Sequence, residues 1–373
     1  MLKILHTADI HLGAKFSSLG DKGDYQREQV KNTFKSIVAT AIREKVTIVL
    51  IAGDLFDANL QPQRNVDLVI EQFNLLNKNG IPVCLIPGNH DPFNSSSIYK
   101  KVDFEQECPN TKVFVEQEIT YKEYPDINLT VYGKPNLSSN SYTSPLRGLR
   151  RTTSTTFHVA LAHGSFYIPG KVAEDDHPFK PEEIKTSGMD YIALGHWHRP
   201  YMCSDNPPAW YPGPPEWIPD QKEVGNVLIV NLSASGKAKI EPKRVGLRDC
   251  DEIEVETGSV GSSVELREEI SHGANKNLIR IVTLKGLRDA ELIIDTEKLE
   301  HELREGFFFL RIIDQSHPKL KEISEATYER QLIKARFIKL MKEKIQNSEG
   351  EEKDVAENAL QYGIALLEGK EIL

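Results

Sequence analysis

The chain opens on a short apolar run, residues 4–8 (Ile-Leu-His-Thr-Ala), and residues 29–45 then place Val30, Phe34, Ile37, Val38, Ala41 and Ile42 at helical spacing. A second run, residues 47–52 (Thr-Ile-Val-Leu-Ile-Ala), is almost wholly apolar and rich in β-branched residues, which predicts a strand covered on both faces. Val66, Val69, Ile70, Phe73 and Leu76 follow on one face of a helix that Asn79-Gly80 stops, and residues 82–86 form a third strand. Two β-α-β units in series imply parallel strands joined by right-handed crossovers. Beyond about residue 110 the apolar runs shorten to 112–115, 129–132, 157–162, 191–194 and 227–232. They predict a second sheet packed on the first, closing a first domain over residues 1–245.

The pattern then changes. Residues 246–320 begin acidic and read as a small α/β module: a strand at 277–284, an acidic helix at 296–304 and a strand at 307–313. Residues 325–373 read as a tail of two amphipathic helices. One stripe runs through Ile333, Phe337, Leu340 and Ile345, the other through Val355, Ala359, Tyr362 and Leu366. Residues 330–344 are strongly basic and 349–357 mostly acidic, so the two helices can pair with each other or with a partner. Residues 134–156 are rich in Ser and Thr, carry Arg147, Arg150 and Arg151, and hold no acid. That composition predicts a solvated loop, with contact to a polyanion as the sharper alternative.

Composition sets the limits. At 373 residues the chain exceeds one ordinary core. Apolar residues at 39% and charged residues at 27% describe a globular protein, and no run approaches the roughly 18 apolar residues of a membrane span. The first residues start a strand without the sections of a signal peptide, so a cytoplasmic location is expected. Cys84, Cys108, Cys203 and Cys250 lie far apart and predict idle thiols rather than a disulfide frame or a thiolate zinc site. A net charge of -9 disfavours indiscriminate nucleic-acid binding, although bound cations and local basic patches can reverse the field at one site.

Five short polar clusters stand at the ends of the apolar runs: Asp9-Ile-His11, Gly53-Asp54-Leu-Phe-Asp57, Gly88-Asn89-His90-Asp91, His163-Gly164, and Gly195-His196-Trp-His198. In an extended segment residues i and i+2 point the same way, so Asp9 with His11, and His196 with His198, can each reach one ion. Asp54 has two oxygens with which to bridge a pair of cations. Asn89 offers a neutral amide oxygen beside His90. A donor set of carboxylate, imidazole and amide oxygen without thiolate favours manganese, iron, zinc or magnesium. Two such ions would suit phosphoryl transfer.

In this order the clusters resemble the calcineurin-like metallophosphoesterases over about 200 residues. By that resemblance the fold is α/β, two packed mixed β-sheets flanked by helices in a four-layer sandwich, followed by a small α/β capping domain and a C-terminal helical tail. Asp9, His11, Asp54 and His198 would hold one ion, and Asp54, Asn89, His163 and His196 the other. His90 would act as the catalytic acid, with Asp91 orienting its ring. Residues 4–13, 52–57 and 86–91, together with 211–215, 242–245 and 359–369, are most similar to the SbcD and Mre-type DNA repair exonucleases. That likeness implies two manganese ions, DNA as substrate, and a tail that docks on an SbcC-like coiled-coil ATPase, and it allows a homodimer. Some relatives carry histidine where this chain has Asp57, the residue of the bacterial SbcD pattern.

Two other readings fit the clusters alone. One is a small-molecule phosphoesterase, such as a cyclic-nucleotide phosphodiesterase. The other is a metal-bound scaffold that holds DNA ends without cutting them. Arg147, Arg150 and Arg151 are the candidate DNA contacts. Trp210, Tyr211 and Trp217 read as packing aromatics, with base stacking as the alternative.

Overall fold

The computed structural model describes residues 2–219, 221, 224–233, 238–319 and 331–369. The chain forms two compact units, residues 1–250 and 251–373.

In the first unit, four strands run parallel in the order of the chain: β1 (Leu2–Thr7), β2 (Ile48–Ala52), β3 (Val83–Ile86) and β4 (Thr111–Val113). The helices α1 (Gly23–Arg43) and α2 (Gln63–Lys78) make the first two crossovers. The second sheet has the order β5-β6-β7-β8-β10-β9, with β5 (Thr120–Tyr124), β6 (Leu129–Gly133), β7 (Phe157–His163), β8 (Tyr191–Gly195), β9 (Tyr201–Asp205) and β10 (Pro208–Tyr211). Strands β6, β7, β8 and β10 are parallel. The two remaining strands, β11 (Asn226–Leu232) and β12 (Ala238–Arg244), return to the first sheet, where β11 lies antiparallel beside β1.

The architecture is therefore mixed α/β, with two six-stranded sheets flanked by helices. Two apolar runs expected in the second sheet belong to the first. Residues 111–113 extend its β3 edge and 226–232 its β1 edge. Each run is apolar enough to serve either sheet, and pairing partners distant in sequence decide which.

Alternation along the strands divides the core. Ile48, Leu50 and Ala52 face the second sheet and meet Leu129, Val131, Val159, Leu161 and Ala193. The opposite face of the first sheet lies under the helices, where Phe34 of α1 and Phe73 of α2 are in ring contact at 6.2 Å. Both faces are covered, which is why β2 is buried at every position.

The outer face of the second sheet is covered by irregular chain and the short helix Pro181–Thr186. Leu146 and Leu149 pack there with Phe179, Ile184 and Met189 against Ala160, Ile192 and Leu194. The Ser- and Thr-rich segment is thus anchored to the sheet at Leu146 and Leu149, while most of its residues are solvent-exposed, as its composition predicts. Its hydroxyls bond one another and Thr130, as in the 2.6 Å contacts of Thr130 Oγ1 with Thr153 and Thr155.

The second unit holds a three-stranded sheet of Asp249–Glu256, Leu278–Lys285 and Phe309–Asp314, with helices Ser263–Ser271 and Thr296–Leu303. The helices Leu332–Gln346 and Glu351–Leu367 form a hairpin in the same unit. The stretches 325–330 and 370–373 of the expected tail lie outside the described residues. In the hairpin Ile338 packs against Leu360 and Ile364, and Tyr362 and Ala365 rest on Leu287. The buried stripes differ from those expected: Ile333, Leu340, Val355 and Leu366 point to solvent. Both helices have apolar residues on two adjoining faces, and packing selects one. Among the described residues no helix is long and apolar enough to cross a membrane.

Candidate metal centre

The five clusters meet at the carboxyl ends of the parallel strands β1, β2, β3, β7 and β8, where open α/β sheets leave a crevice for ligands. The turns leaving these strands are tight. Asp9, His11, Asp54 and His196 have φ of 54°, 52°, 51° and 108°. Side chains rarely adopt this left-handed backbone, and it persists only where surrounding bonds enforce it. Here the turn after β1 is tied to the turn after β2 by Ile10 N to Asp54 O (2.9 Å) and Leu12 N to Leu55 O (3.0 Å). Glycine permits the closest approach: a Cβ on Gly195 would lie 2.0 Å from the Ala52 carbonyl oxygen, and one on Gly88 2.2 Å from Asp54 Oδ1.

Asp9, His11, Asp54 and His198 bring one ligand atom each within 4.8 Å of one another. His11 Nε2 and His198 Nε2 face each other at 3.2 Å. A second set converges on Asn89 Oδ1, which lies 2.7 Å from His163 Nε2 and 3.0 Å from His196 Nδ1. The two sets share Asp54. Its Oδ2 is 3.3 Å from His163 Nε2 and 3.7 Å from His11 Nε2, is buried, and has no hydrogen-bond partner. A bare carboxylate oxygen in the interior is costly unless a cation satisfies it, so this atom fits a pair of divalent ions. The oxygen and imidazole donors fit such ions as well.

The opposite ring nitrogens are pinned. His163 Nδ1 donates to the Ala52 carbonyl at 2.8 Å, His11 Nδ1 lies 3.1 Å from Asp57 Oδ1, and His196 Nε2 lies 2.9 Å from Asp176 Oδ1. Each bond fixes the tautomer that leaves the other nitrogen free to ligate. Asp176 also accepts from Ser165 Oγ at 2.5 Å, and Ser165 Oγ accepts from Trp197 Nε1 at 3.0 Å. Asp176 lies in an irregular segment with no strand end beside it, so nothing in the sequence pattern marks it.

Electrostatics follow from burial and crowding. Burial pushes Asp9 up to about 6, against the pull of His163. Burial alone would raise Asp54 too, but His163, His11 and His90 hold it well below the ordinary carboxylate range. His163 is opposed by burial yet raised to about 9 by Asp54 and Asp9. His198 is lowered to about 3 by burial and by neighbouring His11.

His90 stands at the rim, with 43% of its side chain exposed and its ring 4.6 Å from that of His11. Its Nδ1 is 3.3 Å from the Asp57 carbonyl oxygen. Asp91 does not orient this ring. It is fully buried and accepts from Gly88 N (2.7 Å), Phe56 N (3.1 Å) and Tyr99 OH (2.6 Å), which commits its carboxylate to holding the turns after β2 and β3. Adjacent residues in a turn point apart, and Asp91 points inward.

One of the three candidate arginines stands well away from this edge. Arg151 pairs with Asp190 at 2.8 Å, and Asp190 precedes β8 at the end opposite Gly195. At about 3.3 Å per residue this separates it from the metal edge by roughly 17 Å. Arg150 follows the same stretch of chain, while Arg147 is exposed between the buried Leu146 and Leu149. Tyr211 and Trp217 are buried. Tyr211 donates to the Gly164 carbonyl at 2.6 Å, and Trp217 stacks on Phe16, so both pack rather than receive bases.

Comparison with known proteins agrees with this geometry. A family model described as calcineurin-like phosphoesterase matches residues 2–200. The DNA double-strand break repair protein Mre11 of Aeropyrum pernix is 30% identical over 307 residues, 76% of this chain and 68% of that protein. The uncharacterized metallophosphoesterase YhaO of Bacillus subtilis is 30% identical over 57% of this chain and 52% of its own length. The SbcD component of the nuclease SbcCD from Staphylococcus epidermidis is 24% identical over 55% of this chain and 59% of its own. The chain thus spans between about half and two thirds of the length of these relatives.

Proposed function

This chain belongs to the calcineurin-like phosphoesterase family, in its SbcD and Mre-type branch, and from that premise we propose that it is a manganese-dependent DNA nuclease with a helical docking tail. Membership makes it a hydrolase of phosphoester bonds with a site for two metal ions. The observation that carries the reading further is Asp54 Oδ2, the unpartnered oxygen between the two ligand sets. Asp9, His11, Asp54 and His198 would hold one ion and Asp54, Asn89, His163 and His196 the other. Bound there, the ions supply positive charge for the phosphate oxygens and for activating water.

The chain's own residues do the rest. His90 reaches the rim, where a leaving sugar oxygen would collect its proton. The Asp57 carbonyl holds Nδ1 of that ring and leaves Nε2 for the transfer. Asp57 Oδ1 and Asp176 keep His11 and His196 in their ligating tautomers. Choice of DNA draws on the names of the relatives and on the second unit, for which a small-molecule phosphodiesterase has no evident need. The hairpin supports a partner such as an SbcC-like ATPase, since its first helix leaves Leu332 and Ile333 82% and 77% exposed.

The test is cleavage of end-labelled hairpin and duplex DNA with manganese. His90→Ala is expected to cut cleavage by orders of magnitude while retaining metal and thermal stability. Asp91→Asn is expected to cost about 3 kcal/mol of stability through its lost hydrogen bonds. Full activity in His90→Ala would remove the acid assignment, and a wild-type protein that binds DNA ends without cutting them would favour the scaffold reading. Turnover of cyclic nucleotides without DNA cleavage would favour the small-molecule esterase.

A further inference from the structure

A cavity of about 450 Å³ opens beside the metal edge, lined by His196, His198, Asp176, Ser165, Lys171 and Arg199. Arg199 directly follows the ligand-set residue His198, yet it belongs to neither ion's donor set. Its guanidinium carbon lies 5.1 Å from the Trp197 ring centre and 5.4 Å from that of Tyr201. Trp197 in turn stacks on buried Tyr211, with centroids 5.2 Å apart and planes at 14°. Both supports are anchored, Trp197 through Nε1 to Ser165 Oγ and Tyr211 through its hydroxyl to Gly164 O. The cation thus rests on a built platform rather than on a free side chain.

Such a platform settles position and leaves chemistry available. A guanidinium held by its charge over aromatic rings spends none of its five N–H groups on a conventional acceptor. Among the described residues no carboxylate pairs with Arg199 and no acceptor takes its N–H groups. Arg151, by contrast, is already neutralised by Asp190. In a chain of net charge -9, a cation with no carboxylate partner among the described residues, on the wall of a phosphoester site, is where a second anion would be held.

We propose that Arg199 forms a subsite for a phosphate neighbouring the one being cut, so that the site takes a polynucleotide strand in preference to an isolated phosphodiester. This rests on the nuclease reading above and adds the strand's seat to it. A planar fork suits two phosphate oxygens at once, and lysine would supply the charge without that geometry.

The experiment uses the full chain and Arg199→Ala, with Arg199→Lys as the partial replacement. Binding of a fluorescent single-stranded oligonucleotide is titrated against salt in EDTA, where nothing is cut. Hydrolysis of a short oligonucleotide and of bis(4-nitrophenyl) phosphate is then compared with manganese. The slope of log affinity on log salt is expected to fall by about one in Arg199→Ala. The preference in kcat/KM for the oligonucleotide over the small ester is expected to fall about tenfold, with Arg199→Lys between. Unchanged slope and preference would overturn the subsite while leaving the nuclease reading intact. A wild-type protein that hydrolyses the small ester but no oligonucleotide would overturn both.

Discussion

For the single side chain, function depends on which nitrogen of each histidine is free. Burial strips water from these rings, so a protein acceptor must hold the other nitrogen, and the Ala52 carbonyl, Asp57 and Asp176 do so. The clusters around the ligands were legible because ligands sit where strands end. Asp176 was not, because its relation to His196, 20 residues further on, exists only after the chain has run through a short helix and β8 and folded back. Asp176→Ala is expected to weaken binding of one of two manganese ions by about 10- to 100-fold. Titration calorimetry on the metal-free protein would read this as two unequal steps, and two unchanged steps would refute it. His90 and Asp91 make the same point, since neighbours in one motif serve the rim and the interior respectively.

Strands and helices show a second kind of choice. Apolar runs predicted strands correctly, but their sheet depended on partners far along the chain, as with Thr111–Val113 and Asn226–Leu232. The tail helices repeat this ambiguity. Ile364 is fully buried in the hairpin, whereas Val355 is 63% exposed, although both belong to an apolar-rich helix. Ile364→Ala is therefore expected to destabilise the second unit by about 2–4 kcal/mol and Val355→Ala by no more than about 0.5 kcal/mol. Thermal unfolding of the two variants would decide, and equal losses would mean that the hairpin packs differently.

In the protein taken together, the crowded centre links metal, pH and stability. In the metal-free protein Asp54 raises His163 to about 9, above its ordinary value of 6.5. Such a group stabilises the fold fully below pH 6.5, and that contribution is lost as pH rises towards 9. A cation replaces the proton, so its apparent affinity should increase across the same window. Manganese at a hundred times its dissociation constant is expected to add about 2.7 kcal/mol per site. The rise in melting temperature on adding manganese should be larger at pH 8.5 than at pH 6.5. A larger rise at the lower pH would contradict the assignment of His163.

The sheet-and-helix alternation, the strand-end clusters and the family could all be read from the chain itself, because they depend on local periodicity and on motifs contiguous in sequence. Folding in three dimensions was needed to decide that β11 joins the first sheet, that Asp91 faces inward, that Asp176 backs His196, and that Arg151 stands far from the metal edge. Arg199 belongs with these, since no spacing rule shows that its charge rests on Trp197 and Tyr201. One cause is common to all. A side chain's type is fixed by its codon, but its direction, partners and protonation are set by burial against residues distant in sequence.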